Sequence, residues 1–171
     1  IESIQRQSFN EYEVIFVDDA SVDLSPKICA AICKKDVRFN YYSKNHEGAS
    51  AARNYGILQS KGDYIVFVDA DDYIAEQMLQ KLFEIISCGE LPDVCFMSCH
   101  YVDKGDRCEK NIIFQMPEKI DKRKVFRGEE FLELVTMGVN HMPGSTWLMV
   151  FRNKFLDQEH LKFDQSLVWS E

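Results

Sequence analysis

The sequence predicts an α/β fold: a mostly parallel, doubly wound sheet with helices on both faces. Three observations predict it. Short apolar runs rich in β-branched and aromatic residues alternate with helical patterns, in the order β-α-β-α-β-α-β. Two of those runs, residues 13–17 and 64–68, end abruptly in carboxylates: Asp18-Asp19, then Asp69-Ala70-Asp71-Asp72. Open α/β sheets bind their ligands at the C-terminal ends of their strands. A segment of small residues, Gly48-Ala49-Ser50-Ala51-Ala52, opens the helix before the second acidic strand.

Taken in order, residues 1–12 read as a helix tail and a loop, with Phe9 and Tyr12 to anchor them. Residues 13–17 form a strand. Ser25-Pro26 starts a helix, Ser25 as the N-cap and Pro26 at the first helical position, and it runs to about Lys35. Residues 37–42 alternate as a strand does. Residues 49–60 are an alanine-rich helix with Ile57 and Leu58 toward the core, closed by Lys61-Gly62. After strand 64–68, residues 75–87 place Met78, Leu79, Leu82, Phe83 and Ile86 at helical spacing. Pro92 breaks the chain, and 94–101 reads as a strand. Lys104-Gly105-Asp106 is a turn, followed by a polar stretch to Lys124. Residues 128–137 form a short amphipathic helix, and 146–151, with Trp147, an apolar strand. The chain thus divides into a regular part, 1–103, and a less regular part of the same domain, 104–171.

At 171 residues the chain suits one domain. A net charge of −8 and a pI of about 5.0 argue against nonspecific nucleic-acid binding, which needs a basic surface. No apolar run approaches membrane-spanning length. The six cysteines form no C-x-x-C pair and read as reduced thiols of a cytosolic protein. The four histidines show no metal-binding spacing.

Asp69 and Asp71 repel across Ala70, and a divalent cation offsets such repulsion while bridging to phosphates. A lone D-x-D is better explained by a solvated acidic turn with Asp72 near a helix N-terminus. The second acidic strand end tips the reading toward a metal or nucleotide site. In the small-residue segment, a backbone without bulky side chains can approach a ligand, and a helix N-terminus offers N–H groups to an anion. Arg53 pairs there with a phosphate or with the Asp cluster; helix–sheet packing and a structural ion pair explain the same residues. The segment is neither a Walker loop nor G-x-G-x-x-G.

Three blocks carry a resemblance. They are Val17-Asp18-Asp19-Ala20-Ser21-x-Asp23, Asn45-x-x-Gly48-x-Ser50-x-Ala52-Arg53-Asn54-x-Gly56, and Gly62-Asp63-Tyr64-Ile65-x-Phe67-x-Asp69-Ala70-Asp71-Asp72. In order and spacing they resemble glycosyltransferase family 2 over residues 1 to about 100. The C-terminal segments 147–152 and 167–171 are similar to the family's late segments more loosely. The resemblance implies a Rossmann-like GT-A fold and use of a nucleotide-diphospho-sugar. It implies that Asp19, with Asp18 beside it, hydrogen-bonds the base or ribose of a uridine nucleotide. It also implies that Gly48, Arg53 and Asn54 line the nucleotide-sugar site, with Arg53 near the phosphates. Asp69 faces the ribose, and Asp71 ligates Mn²⁺ or Mg²⁺. The family's catalytic base belongs to an acidic pair after a segment like Trp169-Ser170. Glu171 is the first of that pair, and the base falls just past the chain end. The family's first strand is likewise missing, so the chain reads as an internal piece of a larger enzyme.

The function so implied is inverting transfer of a sugar, from a UDP-sugar, to a saccharide or lipid-linked hydroxyl acceptor in surface polysaccharide or glycolipid synthesis. The implied location is the cytoplasm, at the inner face of the plasma membrane. Loop 141–145 is either an acceptor-cleft border or a plain turn. Three other readings stay open on the residues alone, one of them a catalytically dead relative that only binds a polymer or partner, against which the intact Asp69/Asp71 pair argues. A nucleotidyltransferase uses the same metal–phosphate logic. A receiver-type signalling module also places two Asp after one strand and one after a later strand; Ser98 could serve it, but no strand-ending Lys follows.

Overall fold

The computed structural model describes residues 1–97, 100–102, 108–112, 125–131, 133 and 146–166. They form two compact units, residues 8–65 with 151–171, and residues 1–7 with 66–150. The elements are α1 (Glu2–Gln5), β1 (Val14–Asp18), α2 (Ser25–Cys33), β2 (Phe39–Ser43), α3 (Ala49–Gln59), β3 (Tyr64–Val66), α4 (Met78–Ser87), β4 (Val94–Phe96), β5 (His100–Val102), β6 (Cys108–Ile112), β7 (Met149–Arg152) and α5 (Asn153–Gln158). Residues 128–131 are also helical.

The first unit is a β-α-β module. β1 and β2 pair in parallel from Val14↔Phe39 to Asp18↔Ser43, so their C-terminal ends coincide. The crossover is α2, as a parallel pair requires. Ser25 is the first residue of this helix, not its N-cap: Leu24 occupies the cap position, and Asp23 Oδ1 accepts the Ser25 N–H at 2.8 Å. A carboxylate two residues upstream thus satisfies one of the helix's free N–H groups. Helix α3 packs against β1, and a Cβ at Gly56 would meet Val17 Cγ2 at 3.6 Å. Gly62 does not close α3 by a left-handed turn. Ser60 caps it in an extended conformation. The Lys61 and Gly62 N–H groups instead donate to Glu13 Oε1, at 2.6 and 3.1 Å. The Asn153 N–H donates to the Asp63 carbonyl at 2.8 Å and its Nδ2 to the Gly62 carbonyl at 3.0 Å, which fixes the start of β3. Among the described residues of this unit, Phe39, Ala51, Ile65 and Leu156 are buried and apolar.

In the second unit, buried Gln7 holds α1 to α4. Its Nε2 donates to the carbonyls of Ser3 (3.1 Å) and Ala75 (2.7 Å), and its Oε1 accepts the Leu79 N–H at 3.0 Å. That last bond caps α4 in trans, and α4 begins at Met78, not at Ala75. The expected strand 94–101 is two strands. β4 joins β3 and β7 in the order β3-β7-β4. β5 pairs antiparallel with β6, which lies in the stretch read as irregular. The expected strand 146–151 opens as a 3-10 turn, Thr146–Leu148, before β7. Leu148 and Val150 are buried. The turn at 104–106, the end of helix 128–137, Ser98, loop 141–145 and the segment 167–171 with Glu171 lie outside the described residues. Among the described residues, no helix is long and apolar enough to cross a membrane.

Candidate functional site

The register Asp18↔Ser43 brings the loops after β1 and β2 to one edge of the parallel pair. Asp18 is locked there. Its Oδ1 accepts the Ser21 N–H at 2.9 Å and its Oδ2 accepts the Tyr41 hydroxyl at 2.6 Å. The Ser21 and Tyr41 bonds hold its carboxyl below the usual carboxylate range. Between Asp18 and Ser21 the backbone turns through Ala20 at φ 66°, a left-handed conformation that a residue with a Cβ adopts at a cost.

Asp19 reaches the opposite loop. Its Oδ1 accepts the Glu47 N–H at 2.8 Å and its Oδ2 accepts the Gly48 N–H at 2.8 Å. His46 Nδ1 lies 2.8 Å from the same Oδ2. Desolvation raises the Asp19 carboxyl, but the two N–H groups and His46 outweigh it and hold it below the ordinary value. Gly48 has φ 89° and ψ 169°, a region essentially reserved for glycine. A Cβ there would meet nothing within 4 Å, so the backbone angle, not space, requires glycine. Gly48 is also the N-cap of α3, so Asp19 sets where that helix begins. The first N–H groups of α3 have no partner within the helix.

Farther along α3 stand Arg53 and Asn54. The Asn54 Nδ2 donates to the Phe163 carbonyl at 2.9 Å, and the Phe163 N–H donates to Asn54 Oδ1 at 2.8 Å. The Arg53 guanidinium lies 5.7 Å from the centroid of the Phe163 ring. Asp18, Asp19, Gly48, Arg53 and Asn54 therefore all belong to one unit. Sequence reasoning missed His46, Tyr41 and Phe163 as neighbours of these residues. No spacing signals them, because each contact joins separate segments of chain.

Asp69, Asp71 and Asp72 belong to the second unit. They form a turn closed by the Asp72 N–H donating to the Asp69 carbonyl at 3.1 Å. Desolvation, then the charges of Asp69 and Asp71, raise the Asp72 carboxyl above the ordinary range. Hard oxygen donors in mutual repulsion suit Mn²⁺ or Mg²⁺. Among the described residues, no three His, Cys, Asp or Glu side chains gather into a metal cage. The donor set fits a cation that takes its other ligands from phosphates and water.

Known proteins share this sequence and fold. The family model "Glycosyl transferase family 2" matches residues 1–158. The "uncharacterized glycosyltransferase EpsJ" of Bacillus subtilis is 28% identical over 186 residues, covering 100% of this chain and 48% of EpsJ. The glycosyltransferase GlyG of Streptococcus pneumoniae is 40% identical over 107 residues, 62% of this chain and 35% of GlyG. The chain thus spans half or less of these curated relatives' length. The crystal structure of S. aureus TarS in complex with UDP superposes with a TM-score of 0.70 at 22% identity, covering 97% of this chain and 45% of that one. That likeness shows the GT-A fold.

Proposed function

The chain belongs to glycosyltransferase family 2, and on that premise we propose that it forms the donor-binding part of an inverting, metal-dependent glycosyltransferase. The donor is a UDP-sugar. TarS has been crystallised with UDP and with UDP-GlcNAc, which supports a uridine-linked donor for a chain of the same fold. The observation that carries the reading is the Asp19 clamp. One carboxylate at the end of β1 holds Glu47 and Gly48, and so holds the start of α3 at the same sheet edge.

Three of the roughly four acceptor positions of Asp19 are filled by the protein, which leaves one for a uracil N–H or a ribose hydroxyl. Gly48 keeps the approach to the first turn of α3 free of side chain. Arg53 offers a planar fork of donors to the diphosphate. Asn54 supports that site through Phe163. Asp69 faces the ribose, and Asp71, with Asp69 nearby, would hold Mn²⁺ or Mg²⁺. When bound, that cation stabilises charge on the departing UDP. In the family the base that deprotonates the acceptor hydroxyl belongs to an acidic pair, and Glu171 stands at the position of that pair's first member. The acceptor is a saccharide or lipid-linked sugar of a surface polysaccharide or glycolipid, which places the enzyme in the cytoplasm at the inner membrane face. No observation favours the nucleotidyltransferase or the receiver-type alternative.

Calorimetric titration of the full-length protein with UDP, with and without Mn²⁺ and beside ADP and GDP, tests the reading. Metal-dependent binding selective for UDP is expected. A folded sample that binds no nucleotide refutes it.

A further inference from the structure

We propose that Asn54 and Phe163 form a latch that positions the Arg53 guanidinium for the donor's phosphates. The inference rests on the donor-binding role proposed above.

Asn54 follows Arg53 on α3. Its amide uses both ends on one backbone residue, donating to the Phe163 carbonyl at 2.9 Å and accepting the Phe163 N–H at 2.8 Å. The pair reproduces the exchange between two paired strand residues, with a side-chain amide in place of a peptide. It holds the backbone of Phe163 beside α3 and so keeps the ring within reach of Arg53. That ring faces the Arg53 guanidinium at 5.7 Å, within the range of a cation–π contact. Successive helix positions are about 100° apart, so one residue reaches the ring and the next reaches the peptide.

The segment that carries Phe163 has no helix or strand of its own. At its start the Leu161 N–H donates to the Leu156 carbonyl at 2.9 Å. At its end the Ser166 N–H and Oγ both donate to Asp164 Oδ1, at 2.8 and 2.7 Å. Those bonds are local to the segment and to α5. Asn54 supplies a tie to α3. An arginine side chain has many rotamers, and a ring across its guanidinium selects few of them. Asn is also a poorer helix former than Ala inside a helix. Its presence there, with both amide ends on one distant peptide, is explained by the tie.

A tie that is only structural and one that positions Arg53 differ in what they do to ligands. Arg53 acts on phosphates, so the latch affects UDP and spares uridine. The test uses the full-length protein, with UDP and uridine affinities measured by NMR titration and amide exchange followed at Phe163. Asn54→Leu is expected to lose protection at the Phe163 N–H and to bind UDP several-fold more weakly, with uridine affinity kept. Asn54→Asp keeps the acceptor for the Phe163 N–H and falls between wild type and Asn54→Leu. Phe163→Leu keeps the backbone bonds and their protection; it weakens UDP by about two- to five-fold, the size of a partly exposed cation–π contact. Equal loss for uridine and UDP overturns the proposal, because it reports general damage. So does a set of variants that bind UDP as wild type does while wild type binds it well. A wild-type protein that binds neither ligand overturns the donor reading itself, and the latch's proposed role with it.

Discussion

Asp19→Asn should destabilise the fold and the nucleotide site together, and the geometry gives the size. Three contacts at 2.8 Å converge on the carboxylate, from Glu47 N–H, Gly48 N–H and His46 Nδ1. Hydrogen bonds to a charged group contribute about 1.5–3 kcal/mol each. Asn keeps an oxygen for Glu47. Its Nδ2 then stands where Oδ2 stood, a donor facing the Gly48 donor and His46. Two contacts are lost and the third loses its charge. The Asp19 side chain is 20% exposed, so water recovers part of the loss. The expected cost is about 2–3 kcal/mol, read as a lower urea midpoint with unchanged m-value. A change below about 0.5 kcal/mol, within the range of an ordinary surface substitution, would refute the clamp.

The same clamp has a pH signature. Desolvation works against the Asp19 charge, but Glu47, Gly48 and His46 prevail and the folded carboxyl lies below its unfolded value. A depressed carboxyl contributes stability that is present above the unfolded pKa, about 3.9. That stability is lost as pH falls through the folded value. The difference between wild type and Asp19→Asn should therefore be full at about pH 5 and close below about pH 4. A difference that persists unchanged into acid would mean that the carboxylate charge is not what holds the loop.

Three further outcomes follow from the geometry. Asp71→Ala should leave the fold intact and abolish the Mn²⁺ dependence of UDP binding; unchanged metal-dependent affinity by calorimetry removes its assignment as ligand. Gly48→Ala should cost about 1–3 kcal/mol in urea unfolding, from backbone strain at φ 89°, although a Cβ there clashes with nothing. Gln7→Leu should cost about 2–4 kcal/mol, because it strands the Leu79 N–H and the Ala75 carbonyl in a site where Gln7 is only 5% exposed; a neutral result would mean that water replaces both bonds.

Much of the fold was legible because its signals are local. The parallel pair and its helices announce themselves by period and by small residues at the start of α3. The errors lie where a distant group took over a local role. Gly62 is placed as a helix-closing glycine should be, yet its N–H belongs to Glu13, 49 residues upstream. Helix α4 is capped by Gln7, from the other side of the first unit in sequence, and so begins later than its apolar period suggests. β6 is Cys-Glu-Lys-Asn-Ile, with no apolar alternation; its pairing with β5 makes it a strand.

The candidate site shows the same division, with a chemical consequence. Both acidic strand ends read alike in the sequence, as carboxylates too dense to stand without a cation. They are not alike in the structure. Asp18 and Asp19 are satisfied by the protein's own donors, through Ser21, Tyr41, Glu47, Gly48 and His46, and their carboxyls are held below the ordinary range. Charge there is already compensated, so that end needs no metal and has acceptor capacity left for a neutral N–H or O–H. At the other end, burial and the charges of Asp69 and Asp71 push the Asp72 carboxyl up, so the local field there disfavours negative charge. A divalent cation relieves that field, and a neutral donor does not. On the donor-binding reading proposed above, a divalent cation is expected at the Asp69–Asp72 turn and a neutral N–H or O–H at Asp19. This assignment predicts that chelation of divalent ions costs affinity for UDP and none for uridine; equal losses for both would place the metal dependence at the Asp19 end instead.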